Sequence, residues 1–290
     1  NDNSFISILA DEQPGVYNNR VNNTKLYVNP YIEIKPIKGL SILSRLNGTL
    51  NTSKTNFFQG KDSYNDLQNG LTYATITDTK SYNYKWENIV TYNFNINKEH
   101  DFTVTGVTSW YHGRKDYDYM YGENISDNKY LWYNLNAASN YKLDSWHEMQ
   151  KSMGYVGRIN YSYLGRYLFA ASVRYDGDSR LADGYKWNTF PGASAGWRIS
   201  DESFMEQTKD WLSNMKLHAS WGISGTAKID PYSSMGTLEQ NYLSIGNASN
   251  ITYLPSKRIP NPRLGWEKSY NTDIGLDLGF LNGRIDVGVD

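Results

Sequence analysis

The feature that most constrains this chain is the alternation of apolar and polar residues at every second position. In residues 155–163 the odd positions are largely aromatic or aliphatic, whereas Arg158, Asn160 and Ser162 occupy even positions. The pattern recurs in residues 167–175 and again in residues 274–280. A period of two is that of a β-strand with one apolar face. The sequence therefore predicts an all-β fold in which each strand has an apolar side and a polar side.

The alternating runs predict about ten strands. They lie near residues 26–37, 40–51, 82–96, 101–114, 153–163, 166–176, 188–199, 214–224, 267–279 and 283–290. Many of these runs reach ten residues or more, whereas strands of globular proteins are usually about five or six residues long. A tilted strand that crosses a lipid bilayer needs about 9–11 residues. The lengths therefore favour an antiparallel transmembrane β-barrel over a soluble sheet.

The connections between the predicted strands alternate in length. The short ones lie at residues 38–39, 97–100, 164–165 and 281–283, and the long polar ones at residues 52–81, 115–152, 177–187 and 225–266. The segment 200–213 occupies a short position and is predicted to hold a helical turn around residues 204–206. In an up-and-down sheet every second connection lies at the same edge, so one edge carries all the long loops. Outer-membrane barrels show this asymmetry, whereas Greek-key sandwiches mix long and short connections at both ends.

Composition excludes several classes of protein. The formal net charge is −1, with 29 basic and 30 acidic residues, and no basic stripe is present to neutralise nucleic-acid phosphates. There is no cysteine, which excludes disulfides and cysteine-ligated zinc. No apolar run approaches the roughly 20 residues of a spanning helix. The 25 tyrosines in a chain that is 39% hydrophobic suit a sheet with an aromatic-rich face.

Four segments resemble the barrel of the SusC/RagA family of TonB-dependent receptors. They are YVGRINYSY at 155–163, RYDGDSR at 174–180, WNTFPGASAGWRIS at 187–200 and IPNPRLGWEK at 259–268. The chain departs from the family pattern at Asp178, where serine is usual, and at Leu181, where phenylalanine is usual. The motifs occur in the family's order, and jointly they are specific.

The resemblance implies a plugged outer-membrane barrel of about 22 strands, of which this chain supplies part of a single barrel domain. It implies import of an oligosaccharide or a peptide, with a SusD-like surface lipoprotein and the TonB complex as partners and no cofactor. The plug and the TonB-contacting region are expected outside these residues. The chain is expected to be a fragment, because residues 1–10 lack the basic start and apolar core of a signal peptide. The alternative is a secreted β-sandwich that binds or cleaves glycans.

Aromatic residues in the long connections are the candidate ligand contacts. Tyr117, Tyr119, Trp132 and Tyr133 are singled out in the connection 115–152, because flat rings stack on sugar rings and hydroxyl groups add hydrogen bonds. The same residue types also favour protein interfaces, so loop packing and partner contact remain open. Other aromatic residues are expected to face lipid or form interfacial girdles, namely Trp110, Tyr161, Tyr167, Trp197 and Trp221.

Catalytic and metal sites are not expected. The four histidines lie far apart in the sequence, with no HxH or HxxxH pair. Asp176, Asp178 and Asp183 share one connection, but Arg174 and Arg180 flank them, which favours local ion pairs over a bound cation. No GxSxG elbow, phosphate loop or dinucleotide fingerprint occurs. The sequence is therefore interpreted as that of a transport protein and not of an enzyme.

Overall fold

A computed structural model describes residues 7–245, 248–255 and 259–290. It confirms the all-β prediction. The strands are β1 (Tyr17–Val28), β2 (Tyr31–Ile34), β3 (Leu40–Gln59), β4 (Tyr73–Ile96), β5 (His100–Glu123), β6 (Asn140–Tyr163), β7 (Tyr167–Asp178), β8 (Trp187–Arg198), β9 (Leu212–Thr226), β10 (Leu238–Ile245), β11 (Ala248–Pro255), β12 (Glu267–Phe280) and β13 (Ile285–Val289). Helix α1 spans Tyr64–Asn69, and 3-10 helices span Ile8–Glu12, Asn128–Tyr130, Leu135–Ala137, Ile199–Asp201 and Ser203–Thr208. No helix in the described part of the chain has the length and apolarity needed to cross a membrane.

Eleven of the strands form one sheet in the order β1-β3-β4-β5-β6-β7-β8-β9-β12-β13, with β2 paired to β3 beside β1. The strands β10 and β11 form a separate hairpin. This order is an up-and-down meander: apart from β2 and the separate hairpin of β10 and β11, each strand lies beside the next strand along the chain. A Greek key would bring a fourth strand back beside the first, and the described strands contain no such return. The order therefore excludes the β-sandwich alternative and confirms the predicted antiparallel barrel segment.

Four of the predicted ranges differ from the structure. The first predicted strand, 26–37, is two strands with a break at residues 29–30, because Pro30 has no N–H for a ladder. The connections predicted at 52–81 and 115–152 are largely strand, since β3 to β6 extend into them at both ends. The connection 225–266 contains the hairpin of β10 and β11. The helical turn expected around 204–206 is confirmed by the 3-10 helix Ser203–Thr208.

The chain divides into two compact units. The first comprises residues 1–29, 47–84 and 112–149, and the second comprises residues 30–46, 85–111 and 150–290. The first unit contains a small apolar core made of Phe58, Ala74, Ile125, Trp132 and Ala138. Phe58 and Ala74 are fully buried, so the connections 60–72 and 124–139 have their own packed interior.

Polar contacts fix these two connections against each other within the first unit. The Asn128 side chain accepts a hydrogen bond from the Lys61 N–H at 2.6 Å and donates one to the Lys61 carbonyl at 3.0 Å. The Thr72 hydroxyl donates to the Ile125 carbonyl at 3.1 Å. Helix α1 begins after Ser63, whose hydroxyl accepts from the Asp66 N–H, and ends at Gly70 with φ of 65°, a conformation that favours glycine. Both connections are thus ordered loops.

The second unit separates an apolar face from a polar face. The strand register aligns Tyr161, Phe169, Ala195, Ala219 and Ile274 in one cross-strand row. Phe169 is 50% exposed and Ile274 is 66% exposed, which is costly in water and favourable in lipid. On the other face the same strands carry small or polar residues, among them Asn160, Ser194 and Ser220.

Two aromatic bands bound this apolar face. At one end Tyr167 lies between Tyr163 and Trp197, with ring centroids 6.1 and 6.4 Å apart. At the other end Trp187 lies 6.4 Å from Tyr155 and 4.8 Å from Tyr175. Eight residues of β6 separate the bands, which is roughly 27 Å along the strand and roughly 20 Å along the normal of a tilted barrel. That height is close to the lipid-facing band of an outer-membrane barrel, about 25 Å.

Candidate functional site

A row of aromatic side chains crosses one face of the first unit. Tyr17 of β1 meets Phe57 of β3 edge-on with ring centroids 5.3 Å apart. Phe57 stacks on Tyr73 of β4 at 5.4 Å, and Tyr73 lies 5.7 Å from Tyr121 of β5. We call this row, together with the β5 and β6 residues described next, the aromatic stripe. Its members come from five adjacent strands, β1, β3, β4, β5 and β6, so the sheet assembles them from distant parts of the sequence.

The stripe continues along β5 to the next strand. Tyr117, Tyr119 and Tyr121 are spaced by two residues and therefore share one face of β5. Tyr117 stacks on Trp146 of β6, with centroids 5.1 Å apart and planes 19° apart. Trp146 is 41% exposed and Tyr17 at the other end is 38% exposed. The stripe thus presents accessible ring surface at both ends.

Charged groups border the stripe. The Lys115 ammonium nitrogen lies 5.1 Å from the centroid of the Trp146 ring, within cation–π range. At the far end of β5 the Glu123 carboxylate accepts from the Tyr121 hydroxyl at 2.8 Å and from the Asn140 amide at 2.6 Å. Flat rings beside hydrogen-bonding groups of both charges suit a ligand that has ring faces and hydroxyl or amide groups.

The four candidate residues from the sequence lie in two different places. Tyr117 and Tyr119 are half-buried members of the aromatic stripe. Trp132 is only 6% exposed and belongs to the apolar core of the connections, while Tyr133 is 71% exposed with its ring 5.5 Å from Trp132. The structure therefore does not bring all four together, and the buried Trp132 ring supports Tyr133.

Sequence reasoning missed the stripe residues on other strands, namely Tyr17, Phe57, Tyr73 and Trp146. The odd-position tyrosines of β5 gave a local signal, but the strand register that supplies their neighbours is not local. The ring contacts join residues 16 to 48 positions apart in the sequence and depend on that register. An alternating pattern predicts which face of its strand a side chain lies on, but not which side chains of the adjacent strands lie beside it.

The arginine–aspartate pairs expected in the connection after β7 are present in the second unit. The Arg180 guanidinium contacts both carboxylate oxygens of Asp178, at 2.9 and 2.8 Å, and Arg174 pairs with Asp176. Asp178 is 4% exposed and Leu181 is 1% exposed. Both positions at which the chain departs from the family pattern are therefore packed inside the protein.

Three of the four motif segments, 174–180, 187–200 and 259–268, line one cavity of about 650 Å³ in the second unit. Phe190 meets Trp266 edge-on at 5.3 Å, and the Trp266 indole N–H donates to the Lys186 carbonyl at 2.9 Å. A side chain at Gly225 would overlap the Phe190 ring, so glycine allows this close approach. The cavity lies on the polar side of the strands, since Ser109, Ser172 and Ser224 also line it.

A carboxylate in the connection between β8 and β9 binds the aromatic band around Tyr167. Glu202 accepts hydrogen bonds from the Tyr167 hydroxyl at 2.7 Å, the Trp197 indole at 3.0 Å and Arg166 at 3.3 Å. The bonds from Tyr167 and Trp197, with the nearby Arg166 charge, lower the pKa of Glu202 from its usual value. The connection is thereby fastened to the strands that it joins.

One histidine lies among carboxylates. The His218 Nε2 is 3.6 Å from Asp277 and 3.7 Å from Asp290, and its Nδ1 is 3.9 Å from Asp273. Ligand atoms of His218, Asp273 and Asp290 fall within 4.8 Å of one another. Asp273 and Asp290 are exposed, and exposed acidic groups often lie close together without a bound ion. Sequence spacing did not indicate this arrangement, because Asp273 and Asp277 lie on β12 and Asp290 follows β13.

Comparison with known proteins gives concordant matches. Residues 6–290 match the family model described as TonB dependent receptor-like, beta-barrel. TonB-dependent receptor P39 of Formosa agariphila is 28% identical over 287 residues, which are 97% of this chain and 26% of that receptor. TonB-dependent receptor SusC of Bacteroides thetaiotaomicron is 40% identical over 141 residues, 48% of this chain and 14% of SusC. The chain therefore spans about a quarter, or less, of these curated relatives.

A solved structure confirms the fold. The structure of the RagAB peptide transporter superposes with a TM-score of 0.82 at 20% identity, and the match covers 93% of this chain and 30% of the other. A second RagAB structure, a peptide importer in its open-open state, gives a TM-score of 0.79 at the same identity. Agreement at such low identity concerns the arrangement of the strands.

Proposed function

The chain belongs to the TonB-dependent receptor-like β-barrel family, and from this premise we propose that it forms part of the wall of an importer for an oligosaccharide or a peptide. It is an outer-membrane protein of SusC/RagA type. The proposal places these 290 residues in a single barrel domain, whose plug and TonB-contacting region lie elsewhere in the protein. The TonB complex would supply the energy, and a SusD-like lipoprotein would act at the cell surface.

The observation that carries the proposal is the aromatic stripe. A bilayer crossing needs about 9–11 residues of strand, but β4, β5 and β6 have 24 residues each. More than half of each strand therefore lies outside the lipid. Most of the stripe lies on these strands in the first unit, and its rings need an explanation other than lipid contact. Stacking on a ligand supplies one.

Within the stripe, Tyr117, Tyr119 and Trp146 are the proposed ligand contacts. Tyr117 and Trp146 offer a stacked pair of rings, with Lys115 beside it for hydrogen bonds or charge. Tyr133 is a separate candidate contact, because its ring is exposed and lies beside the buried Trp132 ring. The barrel wall would act by binding and selection, with polar residues such as Arg158, Asn160 and Asp273 along the path. No covalent step is proposed.

The test measures ligand affinity in the full-length receptor. Defined oligosaccharides and peptides are titrated against the purified receptor, and the best ligand is then titrated against Trp146→Ala and Tyr117→Ala. Loss of one stacked ring is expected to weaken binding about tenfold, which corresponds to roughly 1.4 kcal/mol.

The matched control is Tyr84→Ala. Tyr84 lies on β4 in the same unit, but at an even position, so its ring faces away from Tyr73 and stacks on His112 at 5.4 Å. Its replacement is expected to leave the affinity unchanged. Equal ligand affinities for Trp146→Ala, Tyr117→Ala, Tyr84→Ala and the parent would show that the stripe does not contact the ligand.

A further inference from the structure

The cavity beside Phe190 and Trp266 has the dimensions of a binding site. All the residues that line it belong to the second unit. Its volume of about 650 Å³ lies within the range of pockets that bind small molecules, roughly 300–1,000 Å³. It opens on the polar side of the strands, along which a nutrient would pass through the barrel.

The floor of this cavity has no side chain at two positions. Gly192 of β8 and Gly222 of β9 lie directly opposite each other in the strand register, and both line the cavity. A Cβ atom at Gly222 would lie 3.6 Å from the Gly192 Cα and 3.6 Å from the Pro191 carbonyl oxygen, which is ordinary van der Waals contact. The packing of the protein therefore leaves room for a side chain at Gly222, unlike at Gly225. Glycine weakens the interior of a strand and often marks a place where a ligand approaches the backbone closely, so a ligand that lies against the floor accounts for this pair.

The cations of the cavity are exposed, whereas the carboxylates that pair with them are buried. Arg174 and Asp176 form an ion pair in which the side chains are 59% and 10% exposed. Lys85 and Glu87 form a second pair, with 2.7 Å between the ammonium nitrogen and a carboxylate oxygen, and these side chains are 48% and 9% exposed. Both Arg174 and Lys85 line the cavity. The charge that a ligand meets there is therefore positive, although each pair is neutral as a whole.

Arg174 can donate further hydrogen bonds to a ligand in the cavity. Its bond to Asp176 uses Nε, which leaves the two terminal nitrogens of the guanidinium for another acceptor. Two parallel N–H groups of this kind match the two oxygens of a carboxylate. The Asp178 carboxylate, by contrast, already accepts two hydrogen bonds from the Arg180 side chain. The polar groups offered to a ligand therefore suit an anion with paired oxygens.

We propose that this cavity binds a carboxylate group of the imported nutrient. Arg174 donates to the carboxylate through its terminal nitrogens, Lys85 adds positive charge, and the adjoining part of the ligand lies against Gly192 and Gly222. The inference rests on the proposed function and narrows the nutrient to an acidic one. The carboxylate belongs either to a uronic acid of an oligosaccharide or to an acidic side chain of a peptide, which are two sources of the same chemistry.

The experiment measures the affinity of the full-length receptor for paired probes. One pair consists of uronic-acid oligosaccharides and their neutral methyl esters, and the other of glutamate-containing peptides with amidated C-termini and their glutamine counterparts. The acidic members of one pair are expected to bind at least about tenfold more tightly than the neutral members, because they gain a charge-assisted bidentate contact. The pair that shows this preference identifies the source of the carboxylate.

Two variants test the role of the arginine. Arg174→Gln should abolish the preference for acidic probes and leave the affinity for neutral probes nearly unchanged. Because this change leaves the Asp176 carboxylate buried without its partner, the double variant Arg174→Gln/Asp176→Asn removes both charges and should lose the preference in the same way.

A third variant tests the floor of the cavity without changing any charge. Gly222→Val fills the space above the floor with a residue that suits a strand, and it should weaken the binding of acidic probes at least about tenfold. The matched control is Gly157→Val. Gly157 is an exposed glycine of β6 on the face of Tyr161, and the nearest atom to a Cβ there is the Val173 Cγ1 at 3.9 Å. This control should bind the acidic probes as the parent does.

The outcomes separate this inference from the proposed function. Acidic probes that bind no more tightly than neutral ones would overturn the inference, as would a preference that survives both arginine variants or an affinity that Gly222→Val leaves unchanged. In each of these cases the proposed function would stand. Failure of every oligosaccharide and peptide to bind the receptor would overturn both.

Discussion

The two units use aromatic residues for opposite purposes. In the second unit the bands around Tyr167 and Trp187 border an apolar face whose large side chains, such as Phe169, are about half exposed. In the first unit Trp132 is buried in a core, and the ring row from Tyr17 to Tyr121 lies beside charged groups. The first pattern requires lipid outside, and the second requires water and a packed loop interior.

The difference shows that alternation alone does not reveal what a strand face meets. On β4 the stripe residue Tyr73 is at an odd position, whereas Trp86 is at an even one. The ring centroids of Trp86 and Trp110 are 5.1 Å apart. A single strand therefore carries aromatic rings on both of its faces, at different heights. Whether a given part of the strand meets lipid or water decides which rings contact the membrane and which are available to a ligand.

The largest expected effect is on the core of the first unit. Phe58→Ala removes a fully buried ring from the cluster with Trp132 and Ile125, and such changes cost about 3–5 kcal/mol through lost burial and the cavity left behind. Proteolysis of the connections 60–72 and 124–139 in the full-length receptor should accelerate accordingly. Tyr133→Ala, at an exposed ring on the same connection, is the control and should leave the cleavage rate nearly unchanged.

Equal cleavage rates for Phe58→Ala and the parent would mean that these connections have no packed interior of their own. The contrast between the units would then rest on the lipid-facing bands alone. Faster cleavage in Phe58→Ala together with unchanged ligand affinity would show that the core and the stripe act separately.

A somewhat smaller effect is expected on the apolar face of the second unit. Ile274→Lys places a charge on a side chain that is 66% exposed within the band, and a lysine near the middle of a bilayer costs about 2–4 kcal/mol. Denaturant unfolding of the full-length receptor in lipid vesicles measures the loss. Asn271→Lys, on the other face of β12, should cost much less.

Labelling of single cysteines sharpens the same contrast without destabilising the protein. A lipid-phase reagent should modify cysteine at positions 274, 276 and 278 and spare positions 273, 275 and 277, because the two sets lie on opposite faces of β12. Protection of the first set from both lipid and water reagents would place Ile274 in a closed protein core. That result would contradict the membrane assignment of the second unit.

The sequence predicted the parts of the fold that depend on local pattern. Strands with a lipid-facing side, such as β7 and β12, were found within a few residues of their bounds, because lipid enforces strict alternation. The ends of β3 to β6 next to the connections 60–72 and 124–139 were predicted as loops. Outside lipid the alternation of apolar and polar residues is weaker, although the backbone hydrogen bonds between the strands continue. Tyr117 and Tyr119 were predicted as ligand contacts and lie in the stripe, but their stripe partners were not predicted, since register joins residues far apart in the sequence.

The smallest expected effect concerns Glu202, which fastens the connection after β8 to Tyr167 and Trp197. Because these bonds lower its pKa in the folded state, the ionised carboxylate stabilises the fold above the usual pKa of glutamate, about 4.3. This stabilisation is lost as the pH falls through the lowered pKa, since the folded and unfolded states then bind the same number of protons. Glu202→Gln keeps the shape and removes the charge, so it should be less stable than the parent at pH 7, and the difference should shrink towards pH 3.

Denaturant midpoints measured across that range test this expectation, with Glu206→Gln, an exposed residue on the same connection, as the control. A difference between Glu202→Gln and the parent that stays constant with pH would show that the carboxylate acts by shape alone, and that its charge does not stabilise the aromatic band around Tyr167.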